Sequence, residues 1–148
     1  MTASSKTFTL CGTPNYLSPE VILDRGHNFS ADHWSLGVVI YEMICGENPF
    51  YFDGMDQMSM FKAICQEDFY PLPDDISDEA YGVIEPLLEK DPVLRLGALA
   101  GRGKDIMKMG WFDGLDLCAL RRKSIKAPFI PVNVTLDTLL EESASDLG

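Results

Sequence analysis

Basic side chains are scarce in this chain: 12 Lys and Arg stand against 23 Asp and Glu, for a net charge of -11 over 148 residues. A strongly acidic surface repels polyphosphates and anionic lipid, so nucleic acid and membrane surfaces are not expected as partners. Long apolar runs are missing too. The longest is broken by Glu42 and falls well short of a membrane span. The opening Met1-Thr2-Ala3-Ser4-Ser5-Lys6 has no apolar segment behind a basic start, so no secretory leader is expected. Cys11, Cys45, Cys65 and Cys118 lie 34, 20 and 53 positions apart, which leaves no Cys-x-x-Cys pair for zinc or thiol exchange. Four buried, reduced thiols in a cytoplasmic protein are the expectation. His27 and His33, the only histidines, have no acid or cysteine arranged around them as metal ligands.

What is present is a core-forming composition, 46% hydrophobic, enough for one globular domain. The acidity is uneven. Residues 1 to 80 carry 13 acidic and 3 basic side chains, whereas residues 81 to 148 carry 10 and 9. The simplest meaning is a solvated acidic face; the alternative is a surface that attracts basic peptides.

Helical signals dominate the pattern. Ser30 and Asp32 predict a capped start, and the apolar Trp34 to Cys45 run, stopped by Gly46 and Pro49, predicts a central helix packed on all sides. Residues 56 to 66 predict an amphipathic helix with Met58, Phe61, Ile64 and Cys65 on its buried face. Ser77, Asp78 and Glu79 open another helix toward Lys90, kinked or shortened by Pro86. A short helix over 104 to 109 follows, then extended chain from Ala127 and a polar tail from Leu136. Gly97-x-x-x-Gly101-x-Gly103-Lys104 lacks both the spacing and the preceding strand of a phosphate-binding loop and is read as a turn.

Thr9-Leu10-Cys11-Gly12-Thr13-Pro14-Asn15-Tyr16-Leu17-Ser18-Pro19-Glu20 resembles the end of a protein-kinase activation segment, with Ser18-Pro19-Glu20 standing where the family has Ala-Pro-Glu. Asp32-His33-Trp34-Ser35-Leu36-Gly37, Asn48-Pro49-Phe50, Arg95-Leu96-Gly97, Trp111-Phe112 and Pro128-Phe129-Ile130-Pro131 extend the likeness, in family order, from Lys6 to about Pro131. It is similar to the serine/threonine kinases of the cyclic-nucleotide-dependent group, and the Gly26 to Asp32 loop is similar to the cyclic-GMP-dependent branch. The resemblance implies a mainly α fold, the latter part of a kinase large lobe, without the small lobe or the catalytic loop. It places a partial kinase domain at 1–126 and a tail remnant at 127–148.

The family's Gly-x-Gly-x-x-Gly, Val-Ala-Ile-Lys, His-Arg-Asp and Asp-Phe-Gly motifs do not occur in the sequence. The complete family domain uses ATP and magnesium; no residue here is assigned to either, and no catalytic residue is assigned. By resemblance, Thr9 is the target of an upstream activating kinase, with Thr7 a second hydroxyl nearby. Leu10, Gly12, Pro14 and Leu17 line the pocket for the substrate residue that follows the phosphoacceptor, and Thr13 supports the catalytic groups. Glu42 binds an arginine that precedes the phosphoacceptor. Asn15 departs from the pattern, since relatives carry glutamate there for basic substrates. Glu20 and Arg95 match a buried structural ion pair, and Asp32 matches an acceptor for the catalytic-loop backbone. Two functions follow: part of a kinase acting on protein Ser and Thr, or a non-catalytic module that docks peptides or other kinases.

Overall fold

The computed structural model describes residues 14–129, and every element assigned among them is helical. A short 3-10 turn, Pro14–Tyr16, leads into α1 (Pro19–Ile22), α2 (Ser30–Cys45), α3 (Gln57–Gln66), α4 (Asp78–Leu87) and α5 (Gly103–Ile106); a 3-10 turn at Gly110–Phe112 and α6 (Leu117–Arg121) follow. The chain divides into two compact units between Asp113 and Gly114, each described by itself. Thr7, Thr9, Leu10, Cys11, Gly12 and Thr13, and the tail beyond Phe129, lie outside the described residues.

In the first unit the core forms on α2. Trp34, Val38 and Tyr41 recur every three to four residues and are buried, meeting Val83, Ile84 and Leu87 of α4. Gly37 allows this approach, because a Cβ there would stand 2.9 Å from Leu87 Cβ. Trp34 stacks on Phe50 with ring centroids 5.4 Å apart, extending the core beyond the helix end. Gly46 ends α2 in the left-handed conformation, φ 74°, its N–H donating to the Glu42 carbonyl.

Several local expectations are corrected. Ser30 is the first residue of α2 rather than its cap, and its hydroxyl is buried without a partner. Asn28 takes the capping task, its Oδ1 accepting the Ser30 N–H at 2.8 Å. Nor is α2 packed on all sides: Leu36, Val39 and Met43, at i, i+3 and i+7, are exposed on the face away from α4, Met43 by 68%. In α3 the buried set is Met60, Ala63 and Ile64, while Met58 points outward. The Asp56 carboxylate explains this shift, since it accepts the Met58 and Ser59 N–H groups and so places Met58 in the solvated first turn. Ser77 caps α4 by accepting the Ala80 N–H at 3.3 Å. α4 passes through Pro86 and ends at Leu87, short of Lys90. The short helix expected at 104 to 109 spans Gly103–Ile106. Cys45 and Cys65 are half-buried and Cys118 is exposed, all three as free thiols.

Lys90 follows α4 into a poor setting for a cation. Its ammonium donates to the Ile64 carbonyl at 2.9 Å and lies 4.2 Å from the Phe50 ring centroid and 5.3 Å from that of Trp34. Burial pushes its pKa from an ordinary 10.5 down to about 8, against the opposing pull of Asp68 and other nearby groups. Between pH 8 and 10.5 the unfolded chain keeps a proton that the folded chain has released, so the cost of burying Lys90 falls as pH rises. Because the group keeps some solvent contact, the expected gain is about 1 kcal/mol. Urea unfolding of the wild type and Lys90→Met at pH 7 and 9.5 measures it. Wild-type stability relative to the variant should rise across that interval, and a constant difference would refute the assignment.

Candidate functional site

The residues around the start of α1 are held by one buried ion pair. Arg95 Nη1 donates to Glu20 Oε1 at 2.7 Å and Nη2 to Glu20 Oε2 at 2.9 Å, a two-point fork between side chains 75 residues apart. The remaining guanidinium donors are also used: Nη1 to the Ser30 carbonyl at 2.9 Å, Nε to the Glu89 carbonyl at 2.8 Å and Nη2 to the Lys90 carbonyl at 3.4 Å. Arg95 thus ties α1, the first turn of α2 and the segment after α4 to one point. Arg95 is 1% exposed and Glu20 4%. Burial alone would raise the Glu20 pKa, but the hydrogen bonds and charge of Arg95 outweigh it and hold the carboxyl below its usual range.

From that anchored α1 the chain runs back through Leu17 to the Pro14–Tyr16 turn, closed by the Leu17 N–H donating to the Pro14 carbonyl at 3.2 Å. Ser35 of α2 fastens the turn, its hydroxyl donating to the Tyr16 carbonyl at 2.9 Å. This docking brings the Tyr16 hydroxyl to Glu42, where it donates to Oε2 at 2.7 Å, and Asn48 Nδ2 donates to Oε1 at 2.9 Å. The Glu42 hydrogen bond, then burial, raise the Tyr16 pKa, so the phenol remains a donor at neutral pH. Glu42 is half-buried, and no ion pair among the described residues uses it. Its carboxylate is therefore oriented by two neutral donors while its charge is left available.

Beside it opens a cavity of about 390 Å³ lined by Asn15, Glu42, Glu47, Asn48, Tyr51 and Asp53, among others. Three carboxylates around an aromatic wall suit a guanidinium or ammonium group. Of the expected site residues described, Pro14 and Leu17 are half-buried on the same segment, while Asp32 is exposed in the first turn of α2. Glu47 and Asp53 carry no sequence signal of their own, and the motifs that contain Tyr16 and Asn48 do not mark them as donors to Glu42. A carboxylate on an otherwise apolar helix is the signal that a donor must be sought nearby, but the identity of the donors depends on the tertiary contact.

Among the described residues no group of three or more His, Cys, Asp or Glu is placed to hold a metal ion. The Gly97 to Arg102 stretch is turn and bend leading into α5, which takes in Gly103 and Lys104; Gly97 stands at φ 81°, and no strand precedes it among the described residues. His33 packs edge-on against Phe29 at 5.8 Å, and burial lowers its pKa.

Residues 1–112 match the protein kinase domain, and this chain belongs to that family. Its mostly helical structure is consistent with part of a kinase large lobe. Within the family the sequence is similar to the cyclic-GMP-dependent serine/threonine kinases. It is 41% identical over 135 residues to the Drosophila melanogaster cGMP-dependent protein kinase, isozyme 2 forms cD5/T2, covering 90% of this chain and 14% of that protein. The human cGMP-dependent protein kinase 2 is 40% identical over 130 residues, 85% of this chain and 16% of the relative. For the Caenorhabditis briggsae cGMP-dependent protein kinase egl-4 the values are 38% over 133 residues, 88% and 18%. The chain thus spans less than a fifth of the length of these relatives. No helix among the described residues is long and apolar enough to cross a membrane.

Breaking a buried ion pair by removing one partner costs about 3 to 5 kcal/mol, because the other charge is left without compensation. Glu20→Ala and Arg95→Ala should each destabilise the chain by that order, and the double variant by much less than their sum. Denaturant melts of the four proteins at pH 7 test this, with strict additivity as the opposing result. The contribution of Glu20 should also fade as pH falls through its lowered pKa.

Proposed function

We propose that this chain supplies the activation segment and the peptide-substrate surface of a serine/threonine kinase that transfers the ATP γ-phosphate to protein hydroxyls. Glu42 carries the proposal. Held by Tyr16 and Asn48 at the edge of an acid-lined cavity, it receives an arginine that precedes the phosphoacceptor. Leu10, Gly12, Pro14 and Leu17 receive the apolar residue that follows it, Thr13 supports the catalytic groups, and an upstream kinase phosphorylates Thr9. In this reading Glu47 and Asp53 take over the attraction for basic residues that Asn15 no longer provides.

The kinase-domain portion extends to residue 126 with a tail at 127–148, in a cytoplasmic protein. Glu20 and Arg95 serve structurally, and Asp32 faces the catalytic-loop backbone. ATP and magnesium are the cofactors of the complete domain, where they supply and activate the phosphoryl group. No step of transfer is assigned to the residues of this chain. Calorimetric titration of the 148-residue chain with magnesium-ATP should give no saturable heat; saturable binding would show that nucleotide ligands reside here after all.

The peptide surface is tested by fluorescence anisotropy. A labelled peptide with two arginines ahead of a serine and an apolar residue after it should bind, and Glu42→Gln should weaken it about tenfold, the loss of one charge-assisted hydrogen bond. An unchanged Kd in the variant would remove Glu42 from the site. Kinase and docking module share this surface, so a second measurement separates them. Transcript sequencing upstream of Met1 should show in-frame His-Arg-Asp and Asp-Phe-Gly motifs, whereas an in-frame stop would favour the docking module.

A further inference from the structure

In a chain so short of cations, Arg121-Arg122-Lys123 is the one run of consecutive basic residues, and it leads directly into Ser124 and Ile125. All five side chains are exposed. No ion pair among the described residues uses the three cations. The nearest acid in sequence, Asp116, is engaged in capping α6, its Oδ1 accepting the Ala119 N–H at 2.9 Å. The segment therefore presents two arginines, a lysine, a hydroxyl and an apolar side chain, in that order, to solvent.

The hydroxyl has a structural task. Ser124 lies just past the end of α6, where Lys123 turns the backbone left-handed at φ 57°. Its N–H and its Oγ–H both donate to the Ala119 carbonyl, at 2.9 and 3.1 Å, closing the last turn. The carbonyl ends of the helix carry partial negative charge at this point.

We propose that Ser124 is a phosphorylation site for a serine/threonine kinase that reads basic residues ahead of the hydroxyl, and that its phosphorylation opens the C-terminal turn of α6. The inference rests on the reading of Glu42 only for the class of kinase expected to act, because the same order of charges is what an acid-lined groove followed by an apolar pocket would select. In the reaction Ser124 Oγ forms a bond to the γ-phosphorus of magnesium-ATP and the bond from that phosphorus to the β,γ-bridging oxygen breaks. ADP leaves with that electron pair, and the hydroxyl proton passes to the base of the catalysing kinase. The product can no longer donate from Oγ to the Ala119 carbonyl. It also sets about -1.5 to -2 charges against the negative end of the helix, beside three cations free to turn toward it.

The test uses the full 148-residue chain as substrate for a separate, complete cyclic-GMP-dependent protein kinase, with magnesium-ATP and saturating cyclic GMP. Peptide mapping should place phosphate on Ser124, Ser124→Ala should abolish that signal, and Arg121→Ala/Arg122→Ala should slow its incorporation at least tenfold. Absence of phosphate at Ser124, or incorporation indifferent to both arginines, would overturn the site. Amide hydrogen exchange then reads the second half of the proposal. The Lys123 and Ser124 amides should exchange at least tenfold faster in the phosphorylated chain, and unchanged exchange would refute opening of the turn. Because the catalyst is another molecule, failure here leaves the Glu42 reading to the anisotropy measurement.

Discussion

The fork between Arg95 and Glu20 is the constraint on which the arrangement of the first unit depends. α1 is a four-residue helix, too short to hold itself in water, and its position is set by what it is attached to. Burying a guanidinium and a carboxylate is costly unless every donor and acceptor is matched. Here Arg95 spends its donors on Glu20 and on the carbonyls of Ser30, Glu89 and Lys90, so segments distant in sequence are satisfied by one side chain. The polar network specifies which surfaces meet, and the apolar contacts of α2 with α4 supply the cohesion.

The candidate site is assembled outward from that anchor. Once α1 is placed, the preceding Pro14–Tyr16 turn comes under Ser35, and Tyr16 reaches Glu42. Glu42 lies on α2 and Asn48 beyond the glycine that ends it, so the carboxylate is approached from two directions by donors that do not neutralise it. A lysine or arginine in either place would have closed an internal pair and consumed the charge. The neutral phenol and amide fix its direction and leave it free to meet a cation. The same half of the molecule supplies Glu47 and Asp53, so the acidity seen in the composition is focused at a cavity as well as spread over the surface.

Lys90 shows the reverse situation. It sits between the aromatic core and an acidic rim, donating to the Ile64 carbonyl, with Phe50 and Trp34 offering ring faces. Its stem packs while its head is partly dehydrated, which makes it sensitive to pH where an exposed lysine would not be. Nothing in the sequence around Lys90 foretells this, because the groups that remove water from it come from α2, α3 and the Pro49-Phe50 segment.

Much of the helical order was legible in the sequence because its causes are local: Ser77 caps α4, Gly46 ends α2, and apolar spacing marks which segments must be buried. The motif order from Thr9 to Trp111 likewise identified the family, since it depends on residue types in succession. Faces and partners were less legible. Spacing alone places Met58 in the core, yet it stands in solvent, because the Asp56 cap places it in the first turn and the packing of α3 selects Met60 and Ala63 instead. Residue type marks Ser30 as a cap, but Asn28 Oδ1 accepts the Ser30 N–H, and the Ser30 carbonyl is held by Arg95. Helix identity and family were determined by the sequence itself, through interactions over a few residues. The donors that orient Glu42, the dehydration of Lys90 and the exposed Leu36, Val39 and Met43 stripe were decided only by tertiary packing, because each depends on what a segment tens of residues away places against that side chain or leaves uncovered.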